Sequence, residues 1–393
     1  MMDRKVYLDS ASTTYVGVEA LQEMLPVFDT VYGNANNVHS FGRSANELLD
    51  KARDRVAKAI GAKASEIYFT SGGTESNNFA IRGLAYANMH KGNHIITSEI
   101  EHASVLETCK ELEKEGFIVT YLPVDKYGVV SLAKLMHHLT PNTILVSIMT
   151  ANNEVGTIEH INAIAKTVKE KGVLFHTDAV QAVSCVPLNV KNLEIDAMTI
   201  SSHKLYGPKG IGALYVKKGV AIKPLLVGGS HEFHHRAGTV NVPAAVGFGK
   251  AIELAIRDME LNNEKIKSLR DYFIKEVKEK IENVAVNGHP RQKVPHIASI
   301  RFDFAEADAI STMLDLEGIS VSTGAACGAG EVKHSHVLKA MGLSVEEQKS
   351  TIRFSFSKRN TKEEIDYVIE KLAEIIEKLR EISPLTQKGK KEE

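Results

Sequence analysis

The sequence predicts an α/β protein with a mostly parallel central sheet flanked by helices and a smaller α+β domain after it. Three observations carry this. Between residues 67 and 216, short β-branched or apolar runs alternate with helical patterns, the pattern of a parallel sheet covered on both faces. After a long charged helical stretch the runs become shorter and mixed, as in a second unit. At 393 residues the chain exceeds one small core, and two domains are the natural division.

Residues 6–14 give a short strand and then small hydroxylated residues suited to a loop or helix start. Residues 33–42 are turn-rich and lead into a helix over 44–60. Asn34 in that loop is either a side-chain ligand or a turn asparagine. Strands are expected at 67–70, 94–97, 117–122, 144–149, 173–177, 197–200 and 211–216. A long helix over 244–281, with alternating charges, would bridge the domains. Beyond it the pattern gives strands at 298–302, 319–322 and 351–356 and helices at 307–316, 337–341 and 362–380, with a Gly-rich loop after the second strand. The expected division is 1–14 as an N-terminal segment packing with the small domain, 15–258 as the large domain, 259–383 as the small domain and 384–393 as a mobile tail.

Hydrophobic residues at 43% and charged residues at 25% are ordinary for a globular protein. Lys plus Arg is 48 against 49 Asp plus Glu, a formal net charge of -1, so no domain-scale basic field points to direct nucleic-acid binding. No stretch reaches membrane-spanning length and no signal-peptide run precedes the first strand, so the expected location is cytoplasmic. Three cysteines, Cys109, Cys185 and Cys327, are too scattered for a disulfide framework or a Cys-x-x-Cys metal pair. His231, His234 and His235 match no familiar zinc spacing, and no metal is expected.

In α/β sheets ligands bind at the carboxyl ends of the strands, and the chemically suggestive residues of this half of the chain follow predicted strands. Lys204 lies in Ser201-Ser-His-Lys-Leu-Tyr-Gly-Pro-Lys-Gly, between a buried strand and a Gly/Pro turn. Other stretches offer what a pyridoxal phosphate lysine needs: a phosphate cradle, an acid for the pyridine nitrogen and a ring to stack on the cofactor. Gly72, Gly73 and Thr74 stand between a strand and a helix, either as a cradle of backbone N–H groups or as a plain helix start. Ser201 and His203 add phosphate contacts or only turn hydrogen bonds. His102 would stack on the ring or simply begin a helix. Asp178 would keep the pyridine nitrogen protonated or cap a helix, and Gln181 could reach the phenolic oxygen. Asn153 could donate to a ring oxygen or a substrate carboxylate, or belong to an Asn-rich turn. Arg236 and Thr239 read as anion-binding residues. Arg353 would clamp a carboxylate or make a strand-edge ion pair. Cys327, among glycines and alanines, reads as an accessible thiol on a flexible loop, whereas Cys109 and Cys185 read as buried.

These stretches, in this order, resemble the cysteine desulfurases of the NifS/IscS type, within the aspartate aminotransferase-like superfamily of pyridoxal phosphate enzymes. The most specific are Thr70-Ser-Gly-Gly-Thr-Glu-Ser-Asn-Asn, Asn152-Asn-Glu-Val-Gly-Thr, His176-Thr-Asp-Ala-Val-Gln, Ser202-His-Lys-Leu-Tyr-Gly-Pro-Lys-Gly and the Cys327 loop. The resemblance implies that fold, with pyridoxal 5'-phosphate held covalently on Lys204 and paired with Asp178, stacked under His102 and touched by Gln181. Gly73, Thr74, Ser201 and His203 would bind its phosphate, and Thr239 would reach the partner subunit's cofactor phosphate, which implies a homodimer. Asn34, Asn153 and Arg353 would bind substrate. The implied reaction takes L-cysteine to L-alanine: Lys204 moves the α-proton and Cys327 receives the sulfur as a persulfide. A sulfur-acceptor protein, such as an iron-sulfur scaffold or a thiolation enzyme, would collect it. Tyr15, Ala35 and Gly328 depart from the family's usual residues without removing a catalytic group. A selenocysteine lyase or a small-substrate transaminase is the alternative, and Cys327 argues against the transaminase.

Overall fold

The computed structural model describes residues 5–323 and 334–382. Cys327 and the expected tail at 384–393 lie outside the described residues. The chain begins with β1 (Val6–Tyr7), α1 (Val18–Asp29) and α2 (Ser40–Ala59). There follow β2 (Ile67–Thr70), α3 (Gly73–Asn88), β3 (His94–Ser98), α4 (Ala103–Lys114), β4 (Ile118–Leu122), α5 (Leu132–His138), β5 (Thr143–Ser147), α6 (Ile161–Glu170), β6 (Leu174–Asp178), β7 (Ala197–Ser201) and β8 (Gly212–Val216). After α7 (Val242–Arg257) and α8 (Met259–Lys280) come β9 (Val284–Val286), β10 (Ile297–Phe302), α9 (Ala307–Leu316), β11 (Ile319–Ser320), α10 (His336–Ala340), α11 (Val345–Lys349), β12 (Thr351–Ser355) and α12 (Lys362–Ile382).

All seven strands expected between residues 67 and 216 pair in one sheet of order β2-β8-β7-β6-β5-β3-β4. The pairs from β7 through β4 are parallel, while β8 runs antiparallel to both β2 and β7. Strands β2, β3, β5, β7 and β8 are buried along their whole length, which explains why they read as continuous apolar runs. Successive residues point to opposite faces, and each face has its own core. Val146, Phe175 and Met198 pack with Phe248 and Ile252 of α7 and Val56 of α2. Leu145, Ala197 and Leu214 pack with Phe79 and Leu84 of α3 and Leu112 of α4.

The helix expected over 244–281 is two helices, broken at Asp258 (φ -101°, ψ 14°). The reason lies in their faces. Buried residues occupy most of α7, which lies against α1 and α2, whereas α8 buries little more than Met259, Ile266, Phe273 and Val277 and packs on α12. One straight rod could not serve both surroundings. A separate core unites Phe273 of α8 with Phe302, Phe354, Phe356 and Ile369, under an antiparallel sheet of order β12-β10-β9. The N-terminal segment belongs to the same side: β1 pairs in parallel with β11, and Asp9 bridges to Ser355. Among the described residues, no helix is long and apolar enough to cross a membrane.

Candidate active site

Lys204 follows directly from the end of β7, in the single turn Ser202–Lys204. Two residues on, Tyr206 takes φ +67°, a conformation that non-glycine residues rarely hold without support. Support comes from the N-terminal segment: Thr14 Oγ1 accepts from Tyr206 N at 3.0 Å, and Gly17 N donates to Tyr206 O at 2.8 Å. The Lys204 amine donates to the carbonyls of Ala11 and, at 2.7 Å, Ser12. Burial pushes its pKa down from 10.5 to about 8, with the Arg353 guanidinium adding to the effect. A neutral amine is therefore far more accessible here than on an ordinary lysine.

Asp178 ends β6, which pairs with β7 in the sheet. Its Oδ2 accepts from Asn77 Nδ2 at 2.7 Å and its Oδ1 from Val180 N at 2.9 Å. Asn77 also donates to Ser104 Oγ at 2.8 Å, so the Ser104 hydroxyl hydrogen is left for His102 Nδ1, 2.8 Å away. Ser104 N donates to the same nitrogen at 3.1 Å. His102 thus caps α4 through Nδ1 while its ring remains exposed. One hydrogen-bonded chain therefore runs from the acid to the ring. Gln181 lies beyond Asp178 and donates from Nε2 to Ala11 O at 2.9 Å.

Gly72, Gly73 and Thr74, at the start of the long helix α3, line a cavity of about 350 Å³ with Ser201, His203, Thr13 and Lys209. A Cβ at Gly212 would stand 2.8 Å from the Gly72 backbone and 2.7 Å from Ile200 O, so glycine lets the cradle lie tight on the sheet edge. Three features fit a phosphate. No atom lies within 4 Å of a Cβ built on Gly72, the Ser201 hydroxyl is buried without a partner, and the N-terminus of α3 presents unpaired N–H groups and a favourable dipole. His203 Nδ1 meets Thr13 Oγ1 at 3.0 Å, and burial together with Lys204 and Lys209 pushes its imidazole down to about 4.

Arg353 on β12 reaches the same region from the small sheet. Its NH1 donates to Asn153 O at 2.9 Å, and its NH2 to Asp9 Oδ1 at 2.8 Å and Ser12 Oγ at 2.7 Å. The ion-pair reading of this arginine is thus realised, yet its buried Nε has no partner. On either side of the stretch that contains Cys327, which lies outside the described residues, the Ser322 backbone pairs with Arg353 and the Ser335 hydroxyl donates to Glu154 Oε2 at 2.5 Å.

Other residues fall elsewhere. Asn34 is exposed and accepts from Asn36 N at 3.0 Å, as a turn asparagine does. Thr239 is exposed and away from the cavity lining. Arg236, expected to bind an anion, is instead held by Glu75 at 2.8 and 3.1 Å; Glu75 is the carboxylate nearest the cradle in sequence. His235 Nδ1 lies 2.7 Å from Phe233 O, and among the described residues no His/Cys/Asp/Glu group is arranged to hold a metal. Cys109 and Cys185 are buried, and burial pushes each thiol up to about 12, so neither is a ready nucleophile.

The aminotransferase class-V model matches residues 6–368. The chain belongs to the aminotransferase class-V family. It is 50% identical to the cysteine desulfurase IscS of Dictyoglomus turgidum over 389 residues, covering 99% of each chain. It is 47% identical to the cysteine desulfurase IscS of Methanosarcina thermophila, over 98% of this chain and 95% of the relative. Among solved structures, a NifS-like protein superposes with a TM-score of 0.90 at 38% identity, covering 95% of this chain and 100% of that one. SspA, solved in complex with cysteine, superposes with a TM-score of 0.81 at 34% identity, over 91% of this chain and 100% of that one. The class-V fold is thus the one that brings these strand ends together.

Several members of the site were not legible from spacing. Asn77 sits in the quoted Ser-Asn-Asn run, but only the fold reveals that its amide holds Asp178. Ala11 acts through its carbonyl and Thr13 from a loop far from Lys204 in sequence, so side-chain type gave no signal. His296, 3.2 Å from Gln181, lies in a stretch with no motif.

Proposed function

We propose that this chain is a pyridoxal phosphate-dependent cysteine desulfurase that converts L-cysteine to L-alanine and passes the sulfur to Cys327 as a persulfide. The observation that carries the reading is the convergence of Lys204, Asp178 and the Gly72–Ser201 cradle at one sheet edge, in a chain about half identical over its full length to named cysteine desulfurases. Bound pyridoxal phosphate would supply an electron sink for the substrate's α-carbon.

The chain's own groups divide the remaining work. Gly73, Thr74, Ser201 and His203 hold the phosphate, and Lys204 provides the covalent anchor. Asp178, with both oxygens already fixed by Asn77 and Val180 N, keeps the pyridine nitrogen protonated, while His102 covers the ring. Asn153 and Arg353 receive the substrate, the partnerless Nε of Arg353 being the donor left for its carboxylate. The Lys204 amine, neutral above about pH 8, takes the α-proton. The Cys327 thiolate then attacks the substrate sulfur. A sulfur–sulfur bond forms as the carbon–sulfur bond breaks; the carbon skeleton then takes one proton at its β-carbon, regains one at its α-carbon from Lys204, and leaves as alanine.

The finer biology follows the same reading. A sulfur-acceptor protein, serving iron-sulfur cluster assembly or tRNA thiolation in the cytoplasm, would take the persulfide sulfur. The working form is a homodimer in which Thr239 reaches the partner's cofactor phosphate, and Asp258 divides the large domain from the small. Leu21, Leu25, Phe28 and Tyr32, spaced four, three and four residues apart along α1 and just past its end, are each 45–66% exposed. A second copy would cover that apolar row. The reading is tested by borohydride reduction of the yellow protein. Pyridoxal should be fixed on the Lys204 peptide, and a colourless protein that takes up no pyridoxal phosphate would contradict the assignment.

A further inference from the structure

We propose that His296 is a positioning residue: by donating from Nε2 to Gln181 Oε1, it holds the Gln181 amide with its NH2 group toward the cofactor site. The proposal rests on the functional reading above, in which Gln181 touches the phenolic oxygen. It assigns a role to a residue that carries none so far.

The orientation follows from one group whose role is unambiguous. The Ala11 carbonyl can only accept, so the Gln181 atom 2.9 Å from it is the amide nitrogen. The other end of the amide is then the oxygen, and it lies 3.2 Å from His296 Nε2. Because that oxygen can only accept, His296 must carry its proton on Nε2. Ala11 O also receives the Lys204 amine. A single chain of contacts therefore runs from His296 through Gln181 to the carbonyl that Lys204 shares, and His296 and Lys204 line one small cavity of about 50 Å³.

His296 is itself fixed. It immediately precedes β10, and its carbonyl accepts from Phe356 N at 2.8 Å, which ties it to the small sheet. The imidazole stays neutral: burial, with Lys204, Arg270 and Arg353 nearby, pushes it down to about 3. It therefore donates as a neutral ring around neutral pH. Without it the Ala11 carbonyl alone orients the amide, so the amide more often turns its oxygen inward, where it would repel a phenolate instead of stabilising it.

The test is a spectral pH titration of the purified holoenzyme without substrate. Stabilising the phenolate lowers the pH midpoint of the bound cofactor's visible band. Losing the donor should therefore raise that midpoint by about half a unit to one unit, the worth of one hydrogen bond. The donor-less variants His296→Leu and His296→Ala are expected to show this rise, and His296→Gln, which retains a donor of similar reach, is expected to return the midpoint toward that of the parent. A purely structural role would alter thermal stability without this split. The proposal is overturned if either donor-less variant titrates like the parent, or if His296→Gln shifts as far as they do. A protein that takes up no pyridoxal phosphate overturns it together with the functional reading; a yellow protein with identical midpoints overturns it alone.

Discussion

At the scale of single residues, Lys204 pays for its position in charge. Its pKa in the folded chain is lowered from 10.5 to about 8. Between those values the unfolded chain binds more protons than the folded one, so the stability of the cofactor-free protein rises with pH through that window. Below about pH 8 the cost of the buried ammonium is fully present. Lys204→Met removes it. In thermal melts of the cofactor-free proteins, the variant is expected to do best relative to the parent at neutral pH and to lose that ground as the pH climbs beyond 8 toward 10.5. A difference that stays flat with pH would mean that the amine is not desolvated. Lys204 and Asp178 were legible in the sequence because Asp178 ends, and Lys204 closely follows, a strand whose apolar run is unmistakable. Their partners were not, because Ala11 and Asn77 lie 193 and 101 residues from them and act through a carbonyl and a buried amide.

At the scale of elements, the loop carrying Arg236 and Thr239 is held by one buried ion pair. Glu232, Phe233 and His234 all have positive φ, at 46°, 57° and 66°, and left-handed backbone costs roughly 1–2 kcal/mol per residue. Glu232 offsets this by meeting Arg53 at 2.6 Å through both oxygens and accepting from Phe69 N at 2.7 Å. Arg53 also lies over the Phe69 and Phe233 rings, at 4.8 and 5.2 Å. Glu232→Ala would strand a buried guanidinium, and urea unfolding is expected to show a loss of about 3–5 kcal/mol; a loss under about 1 kcal/mol would show that the turn holds itself. No sequence pattern signals this turn, since none of its three residues favours positive φ. Five of the seven large-sheet strands were legible because burial on both faces leaves a plain apolar signature. Strand β9 has only three residues, and α1 carries Pro26 inside it, a residue that ordinarily argues against a helix. The break at Asp258 depends on what α7 and α8 pack against, which periodicity does not record.

At the scale of the whole molecule, the site draws on the N-terminal segment, the large sheet and the small sheet at once, and the proposed dimer would cover the exposed row on α1. Phe28, 63% exposed, would be desolvated in that dimer. Phe28→Asp is therefore expected to shift the protein toward monomer in light scattering and to loosen cofactor retention, whereas an unchanged mass would place the dimer contact elsewhere. The central claim is that Lys204 and Cys327, from distant parts of the chain, share one reaction. It is tested most directly by supplying L-cysteine to the holoenzyme without keto acid, acceptor or reductant, then measuring alanine and mapping sulfur on the cysteine peptides. The account predicts alanine together with one added sulfur atom on Cys327, with both lost in Cys327→Ser although the protein stays yellow. Alanine formed equally well by that variant, sulfur found only on Cys109 or Cys185, or no alanine until a keto acid is supplied would contradict it.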